Sequence, residues 1–223
     1  MKKYVDLTHP ISEKMLTYPA HWHPTVEFKQ MGRLEIEGRS TSRLTLGTHT
    51  GTHCDAPAHF IHNGKTVDQI PLSQLMGAAR LIDLTHLPEL SAVTPKLLQE
   101  ILGSGEAPER IVFRFGWDSR FGTSDFYKLH PFFSMDAARW IVEAGVRLIG
   151  LDTPSPDNPK PNADDGDSPV HKIFFKKEVI LVEYLRNLSF IHSQEFDLYV
   201  LPLLLEGGDG APARCVAVFE EEE

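Results

Sequence analysis

The residues best suited to chemistry lie in one short stretch, GTHTGTHCDAPAHF, at positions 47–60. Threonines at alternate positions favour an extended backbone here, and the side chains of a strand alternate between its two faces. His49, His53 and Asp55 would then point the same way, with only Gly51 between the two imidazoles. A helix would also align the two histidines, but it would turn Asp55 about 200° away from His53. The strand therefore predicts three metal ligands on one face.

Two imidazoles and a carboxylate suit a divalent ion such as Zn²⁺, Mn²⁺ or Fe²⁺. Three protein ligands leave one coordination position open for water, which is the arrangement of a catalytic site. His59, which follows Pro57, is expected either to bind the ion or to act as a general acid and base beside the open position. A polar loop of hydrogen-bonded histidines is the structural alternative.

Cys54 is the other reactive group of the stretch, because a thiol flanked by histidines could act as a nucleophile. On the predicted strand it faces away from the three candidate ligands, so we interpret it as a small structural residue. Five histidines elsewhere in the chain are interpreted as surface or core residues: His9, His62, His86, His130 and His192.

The predicted strands and helices that must position these residues indicate an α/β fold. Runs of β-branched and aliphatic residues that end in turn formers predict strands at positions 80–85, 110–116, 146–152, 178–185, 196–205 and 213–220. One helix is predicted after the cap Thr94, with Pro95 in its first turn and Gly103 as its stop, and a second between Ser134 and Gly145. We expect a single domain over residues 1–223, in which a β-rich mixed sheet curls towards a barrel with flanking helices.

Residues 154–169 are predicted to form a loop, because they contain five prolines, four acidic residues and no apolar periodicity. A stretch of this length without secondary structure is uncommon inside a domain and often serves as a functional lid. A plain surface loop is the alternative.

Composition narrows the class of partner and the compartment. The formal net charge of -9 argues against nucleic acid, which is bound by clustered Lys and Arg. The two cysteines, Cys54 and Cys215, form no CxxC motif, so neither a disulfide framework nor a thiolate zinc finger is indicated. No secretory signal is evident, and no apolar run approaches the ~20 residues of a membrane span, so we expect a cytoplasmic protein without a membrane partner.

The stretch HTGTHCDAPAH, residues 49–59, resembles the HxGTHxDxPxH signature of the cyclase-type metal-dependent amidohydrolases, and it departs from that pattern at no position. The family includes bacterial kynurenine formamidases and isatin hydrolases. The resemblance covers nearly the whole chain. The opening DLTHPISEKMLTYP is similar to the family's N-terminal strand and substrate loop, and GLDTPSPD is similar to its DTPSxD segment. The run HKIFFKKEVILVEYLRNL is similar to the part that supplies a second histidine and a glutamate.

The resemblance implies a site for one or two ions, with Zn²⁺ expected and Mn²⁺ as the alternative. His49, His53 and Asp55 would hold one ion, and Asp55 would bridge to a second ion held by His171 and Glu183. These last two residues lie twelve positions apart, as the corresponding ligands do in kynurenine formamidases.

The resemblance further implies that His59 donates and accepts the proton. It implies a cyclase-like swivelling β/α fold, usually dimeric, so a homodimer or higher homo-oligomer is expected. Glu183 ends an apolar strand, and a buried carboxylate there needs a partner. A metal ion is one such partner, and an arginine is the alternative.

The predicted activity is hydrolysis of a small-molecule amide C–N bond by metal-activated water. N-formylkynurenine, which would give kynurenine and formate, is one candidate substrate. The substrate loop of kynurenine formamidases carries Trp-Pro-Gly-Asp, whereas this chain has YPAH at positions 18–21, so isatin or another cyclic amide is the alternative. Tyr18 could stack on a flat ring, and Trp22 could line the same pocket. Two rivals of other classes are a non-catalytic metal-binding protein and a thiol-dependent hydrolase that uses Cys54.

Overall fold

A closed ring of strands forms the centre of the molecule in the computed structural model, which describes residues 1–103 and 107–221. The strands are β1 (Lys2–Asp6), β2 (Glu27–Gly32), β3 (Thr41–Thr45), β4 (His53–Asp55), β5 (Met76–Asp83), β6 (Ala92–Val93), β7 (Arg110–Arg114), β8 (Phe132–Phe133), β9 (Leu148–Leu151), β10 (Ile180–Glu183), β11 (Glu195–Pro202) and β12 (Gly210–Glu220). The main sheet runs β1-β12-β11-β5-β7-β9-β10-β4, and β4 also pairs with β12. Seven strands therefore form a barrel, and β1 pairs with residues 216–220 of β12, beyond the part of β12 that pairs with β4.

The short strand β4 closes this barrel. It pairs antiparallel with β10 on one side and with the first residues of β12 on the other. Continuing around the ring from β10, the strands β10, β9, β7 and β5 run parallel to one another. Their connections carry helices, as expected for parallel neighbours.

The helices are α1 (Leu34–Glu37), α2 (Leu72–Leu75), α3 (Pro95–Leu102), α4 (Ser124–Lys128), α5 (Met135–Glu143) and α6 (Pro169–Phe175). The side chain of Thr94 accepts a hydrogen bond from the N–H of Leu97 at the start of α3, and Ser134 caps α5 in the same way. Both predicted caps are therefore confirmed. Among the described residues, no helix has the length and hydropathy needed to cross a bilayer.

Two apolar cores lie on opposite faces of the barrel wall. Val112, Ile180 and Val182 belong to a cluster to which all seven ring strands contribute, so this cluster fills the interior of the barrel. Neighbouring positions such as Phe113 and Leu181 belong to a second cluster, which the strands share with α3, α5 and α6. The parallel strands are thus buried on both faces, which explains their continuous apolar runs.

A hairpin of β2 and β3 stands apart from the barrel. Among the described residues these strands pair only with each other, and α1 lies between them in the chain. Along this arm, residues 27–45, only Gly32 is buried. Five large apolar side chains are exposed on it: Phe28, Met31, Leu34, Ile36 and Leu44.

The predicted fold class is confirmed: the mixed sheet is curled until it closes, and helices flank one face of it. Each of the six predicted strands overlaps a strand of the structure, and the predicted loop over residues 154–169 has no strand and no helix before Pro169.

Candidate metal centre

The strand that closes the barrel also carries the candidate ligands. His53 lies directly opposite Glu183 in the β4–β10 register, so the two side chains share one face of the sheet. Asp55 lies two residues further along the same face. All three side chains are buried, with exposed fractions of 2% for His53, 1% for Asp55 and 4% for Glu183. This face is the outer surface of the barrel, since Cys54 and Val182 point into the interior cluster.

His49 reaches the same carboxylate from a turn rather than from a strand. The predicted strand over residues 48–55 is wrong for its first half, because β4 begins only at His53. Gly51 has a φ of +61°, a left-handed conformation that favours glycine and interrupts an extended chain. The turn folds His49 back towards β4, so that its Nδ1 lies 2.6 Å from Oδ1 of Asp55.

His171 completes the cluster from α6, more than a hundred residues along the chain. Its Nε2 lies 3.3 Å from Oε1 of Glu183 and 3.6 Å from Oδ2 of Asp55. The Nε2 atom of His53 lies 3.0 Å from Oδ1 of Asp55 and 3.6 Å from Oε2 of Glu183. Oδ1 of Asp55 thus faces the imidazoles of His49 and His53, and Oδ2 faces that of His171.

Hydrogen bonds on the far side of two imidazoles orient their rings. The Nδ1–H of His53 donates to the carbonyl of Gly51 over 2.7 Å, and the Nδ1–H of His171 donates to Asp157 over 2.5 Å. Asp157 also accepts the backbone N–H groups of Val170 and His171. These bonds leave each Nε2 facing the two central carboxylates, which is how metal-binding histidines are commonly held. Sequence analysis did not assign this role to Asp157, although the residue lies in the DTPSxD segment.

The donor set fits a divalent cation. Oε1 of Glu183 is buried, and despite its closeness to His171 it makes no hydrogen bond. Within the described parts of the chain, no lysine or arginine forms an ion pair with Asp55 or Glu183, so the arginine alternative for Glu183 is not supported. Two adjacent buried carboxylates that pair only with imidazoles among the described residues, and with no lysine or arginine, are costly unless a cation neutralises them.

The pKa values of the two carboxylates diverge for physical reasons. Burial pushes the pKa of Asp55 upwards, but the imidazoles of His49 and His53 outweigh it and hold this pKa well below its usual range. Burial raises the pKa of Glu183, and the negative charge of Asp55 raises it further.

His59 lies at the edge of the cluster, in a helical turn that begins at Pro57. Its ring stacks on that of His49, with centroids 3.8 Å apart. Its Nδ1 lies 3.3 Å from Oδ2 of Asp209, and the same oxygen lies 2.8 Å from Nε2 of His49. Asp209 is a second residue that sequence analysis missed, because nothing in the local pattern places the β11–β12 turn beside residues 49–59.

A cavity of about 470 Å³ opens over the cluster. It is lined by the candidate ligands, by His59 and Asp209, and by the aromatic rings of Tyr18, Trp22 and Phe60. Both aromatic residues that were predicted to contact substrate therefore line this cavity. Residues 154–169 contribute to its wall through Pro154, Ser155, Asp167 and Ser168, and they also line a second, adjacent cavity of about 450 Å³.

Cys54 lies on the opposite side of β4 from this cavity. Its side chain is fully buried in the barrel interior, and burial raises the pKa of its thiol well above the usual value. A buried, protonated thiol is a poor nucleophile. The structure therefore favours the structural interpretation of Cys54 over a thiol-dependent mechanism.

The known proteins that resemble this chain in sequence all point to one class of protein. Residues 5–158 match the family model "Cyclase", described as "Putative cyclase". A kynurenine formamidase of Bacillus thuringiensis subsp. konkukian (strain 97-27) is 30% identical over 214 residues, which cover 96% of each chain. The chain therefore belongs to the cyclase family, the cyclase-type amidohydrolases whose signature it carries.

Two solved structures share the fold. Isatin hydrolase A from Ralstonia solanacearum superposes with a TM-score of 0.85 and 25% identity, covering 98% of this chain and 92% of that one. "The Structure Of Potential Metal-Dependent Hydrolase With Cyclase Activity" gives a TM-score of 0.78 and 28% identity over the full length of both chains. The fold is thus shared with an isatin hydrolase and with a structure described as a potential metal-dependent hydrolase.

Proposed function

We propose that this protein is a metal-dependent amidohydrolase that cleaves a non-peptide amide C–N bond of a small molecule, and that residues 1–223 act as one hydrolase domain. The observation that carries the proposal is the convergence of three imidazoles and two buried carboxylates beneath an aromatic-lined cavity. The names of the relatives and the structural neighbours support the same class of reaction.

His49, His53 and Asp55 would hold one divalent ion, and Asp55, His171 and Glu183 would hold a second. Zn²⁺ suits this mixed set of nitrogen and oxygen donors, and Mn²⁺ is the alternative. When bound, the metal supplies water of lowered pKa and a positive charge beside the reacting carbonyl.

His59 is the residue proposed to move the proton. Its ring lies at the cavity wall and stacks on the ring of His49, so that one side chain separates it from the carboxylates. The imidazole takes a proton from the attacking water and delivers it to the nitrogen of the leaving group as the C–N bond breaks. One water is consumed; an open-chain amide gives a carboxylic acid and an amine, and a cyclic amide gives one ring-opened product that carries both groups.

The aromatic wall is proposed to select the substrate. Tyr18 packs edge-on against Tyr127, with ring centroids 5.9 Å apart, and Trp22 faces the same cavity from the N-terminal loop. Such rings favour a flat aromatic amide. N-formylkynurenine and a cyclic amide such as isatin both meet this condition.

The test combines metal analysis of the purified protein with a panel of N-formylkynurenine, isatin and other small amides. We expect one or two equivalents of metal, hydrolysis of at least one amide, loss of activity with chelator and recovery with Zn²⁺ or Mn²⁺. Bound metal without hydrolysis of any amide would indicate a non-catalytic metal-binding protein. Activity that resists chelator but not a thiol-alkylating reagent would indicate the thiol mechanism.

We also propose that the protein is a homodimer or higher homo-oligomer. The arm of residues 27–45 exposes five large apolar side chains, and such patches commonly form protein–protein contacts. Light scattering during size exclusion tests this proposal, because a monomer would give 25.1 kDa. Replacing Phe28 and Ile36 by aspartate should shift an oligomer towards that mass.

A further inference from the structure

One carboxylate oxygen beside the candidate ligands lies between two imidazoles that both belong to the proposed machinery. Oδ2 of Asp209 lies 2.8 Å from Nε2 of His49 and 3.3 Å from Nδ1 of His59. Its partners are 160 and 150 residues away in the chain, so the pairing depends on the closed barrel.

The backbone around Asp209 is held on both sides. Its own carbonyl accepts the N–H of Ala56, and the carbonyl of Gly208 accepts the N–H of Val67. A Cβ at Gly210 would lie 2.8 Å from Cε1 of His49 and 2.9 Å from the carbonyl oxygen of Cys54. A glycine is therefore needed for the strand to pass this close to His49. The carboxylate is thus presented to the imidazoles by a fixed turn.

The proton transfer proposed for His59 requires one defined form of its ring. A neutral imidazole carries its N–H on one nitrogen and its basic lone pair on the other. A carboxylate that accepts the Nδ1–H fixes the tautomer in which Nε2 is free to take a proton, as in hydrolases where an acidic residue orients a histidine base. Such bonds are often long without substrate and shorten in the reacting complex.

We propose that Asp209 is a positioning residue, which holds His59 in the Nδ1–H tautomer with Nε2 towards the substrate and steadies the ring of His49 from the side opposite Asp55. This inference rests on the proposed function of His59. It adds a residue outside the family signature, on a different part of the chain.

Asp68, in the helical turn of residues 67–69, provides a matched control beside the turn that carries Asp209. Its Oδ1 accepts the N–H of Gly207, two residues before Asp209, and the hydroxyl of Thr66, and it contacts neither imidazole. Asp68→Asn therefore changes an acid that supports this turn without changing the carboxylate between the histidines.

The kinetic test compares Asp209→Asn, Asp209→Ala, Asp209→Glu and Asp68→Asn with the wild type. We expect kcat to fall by about 10²-fold in the Asn and Ala variants, with KM changed less than about 3-fold and metal content kept. The Glu variant should recover part of the loss, and Asp68→Asn should stay within about 2-fold of wild type.

In a His59→Ala background, Asp209→Ala should cause almost no further loss of kcat, because the effects of residues that act as a unit are not additive. Additive losses, metal loss in step with kcat, or an unchanged kcat in Asp209→Ala would each refute the proposal.

A spectroscopic test does not depend on activity. Long-range ¹H–¹⁵N NMR of the imidazoles in metal-free protein should show His59 as the Nδ1–H tautomer in wild type and in Asp68→Asn. Asp209→Asn should shift His59 towards the other tautomer. An unchanged tautomer in Asp209→Asn would refute the positioning role even if the wild type hydrolyses no amide, so this failure is distinguishable from failure of the proposed function.

Discussion

The floor of the cavity, formed by His53 and Asp55, differs in burial from its mouth, formed by Tyr18 and Trp22. On the floor, His53 and Asp55 are 2% and 1% exposed and lie on a strand that pairs on both sides. At the mouth, Tyr18 and Trp22 are 46% and 72% exposed and lie on an N-terminal loop. Buried strands hold chemical groups in fixed positions, whereas exposed loops tolerate change in sequence and conformation.

Under the proposed function, this difference would allow one fold to act on different amides. The cavity floor carries the signature HxGTHxDxPxH without departure, and under the proposed function it would supply the reaction class. Under the proposed function, the mouth would supply the fit to substrate through the exposed rings of Tyr18 and Trp22. Substitutions on the floor should therefore stop the reaction, and substitutions at the mouth should change its selectivity.

The largest expected effect comes from breaking the floor itself. His53→Ala removes an imidazole that faces both central carboxylates, so bound metal should be lost and kcat/KM should fall by more than about 10³-fold. Metal analysis and amide hydrolysis measure the two losses together. His86→Ala, a substitution at an exposed histidine far from the cluster in sequence, is the control. Retained metal with full activity would show that His53 is not a ligand.

The second largest effect separates metal binding from proton transfer. His59→Ala should leave metal content unchanged and lower kcat by about 10²–10⁴-fold, the range typical of a lost general acid and base. Metal analysis and turnover of the same preparation give both quantities. Normal turnover in this variant would exclude His59 as the proton carrier.

A smaller effect is expected at the mouth. Tyr18→Ala and Trp22→Ala each remove one ring from the cavity wall, and an aromatic contact contributes about 0.5–1.5 kcal/mol. We expect KM to rise by about 2–10-fold with little change in kcat, and the two substrates of the panel to be affected unequally. Steady-state kinetics on both substrates make the comparison. If either variant lost its metal or its kcat, the division between floor and mouth would be wrong.

The smallest effect on turnover is expected at His9, a buried residue that supports the segment carrying the floor residues. Its titration should affect the stability of the fold. Its backbone N–H donates to the hydroxyl of Thr52, its ring stacks on Phe121, and burial lowers the pKa of the imidazole to about 4. The unfolded chain takes up a proton near the ordinary pKa of ~6.5, and the folded protein does not. This part of the stability is therefore present above pH ~6.5 and is lost as the pH falls towards 4.

Urea unfolding at several pH values between 7 and 4 measures this loss. The free energy of unfolding of the wild type should fall more steeply with decreasing pH than that of His9→Asn, because asparagine does not titrate. The difference between the two proteins isolates His9 from the histidines of the metal centre. Parallel pH curves for the two proteins would contradict the assignment of a neutral, buried His9.

Local sequence patterns determined much of this protein, because the groups involved lie close together in the chain. Thr94 and Ser134 marked helix starts, since a capping side chain bonds to backbone only three residues away. Aliphatic runs predicted six of the seven ring strands, all except β4. The motif at residues 49–59 predicted a metal centre, because its ligands are only a few residues apart. His171 and Glu183 were inferred only through resemblance to a family, since their separation from that motif hides any local pattern.

The tertiary structure decided what depends on distant segments meeting. It placed β4 between β10 and β12, and that register sets Glu183 opposite His53. It replaced half of the expected strand with a turn at Gly51, because β4 pairs with its neighbours only from His53 onwards. It also brought Asp157 to His171 and Asp209 to His59. Propensity and periodicity act over a few residues, whereas these contacts follow from strand order and barrel closure, which no short stretch of sequence contains.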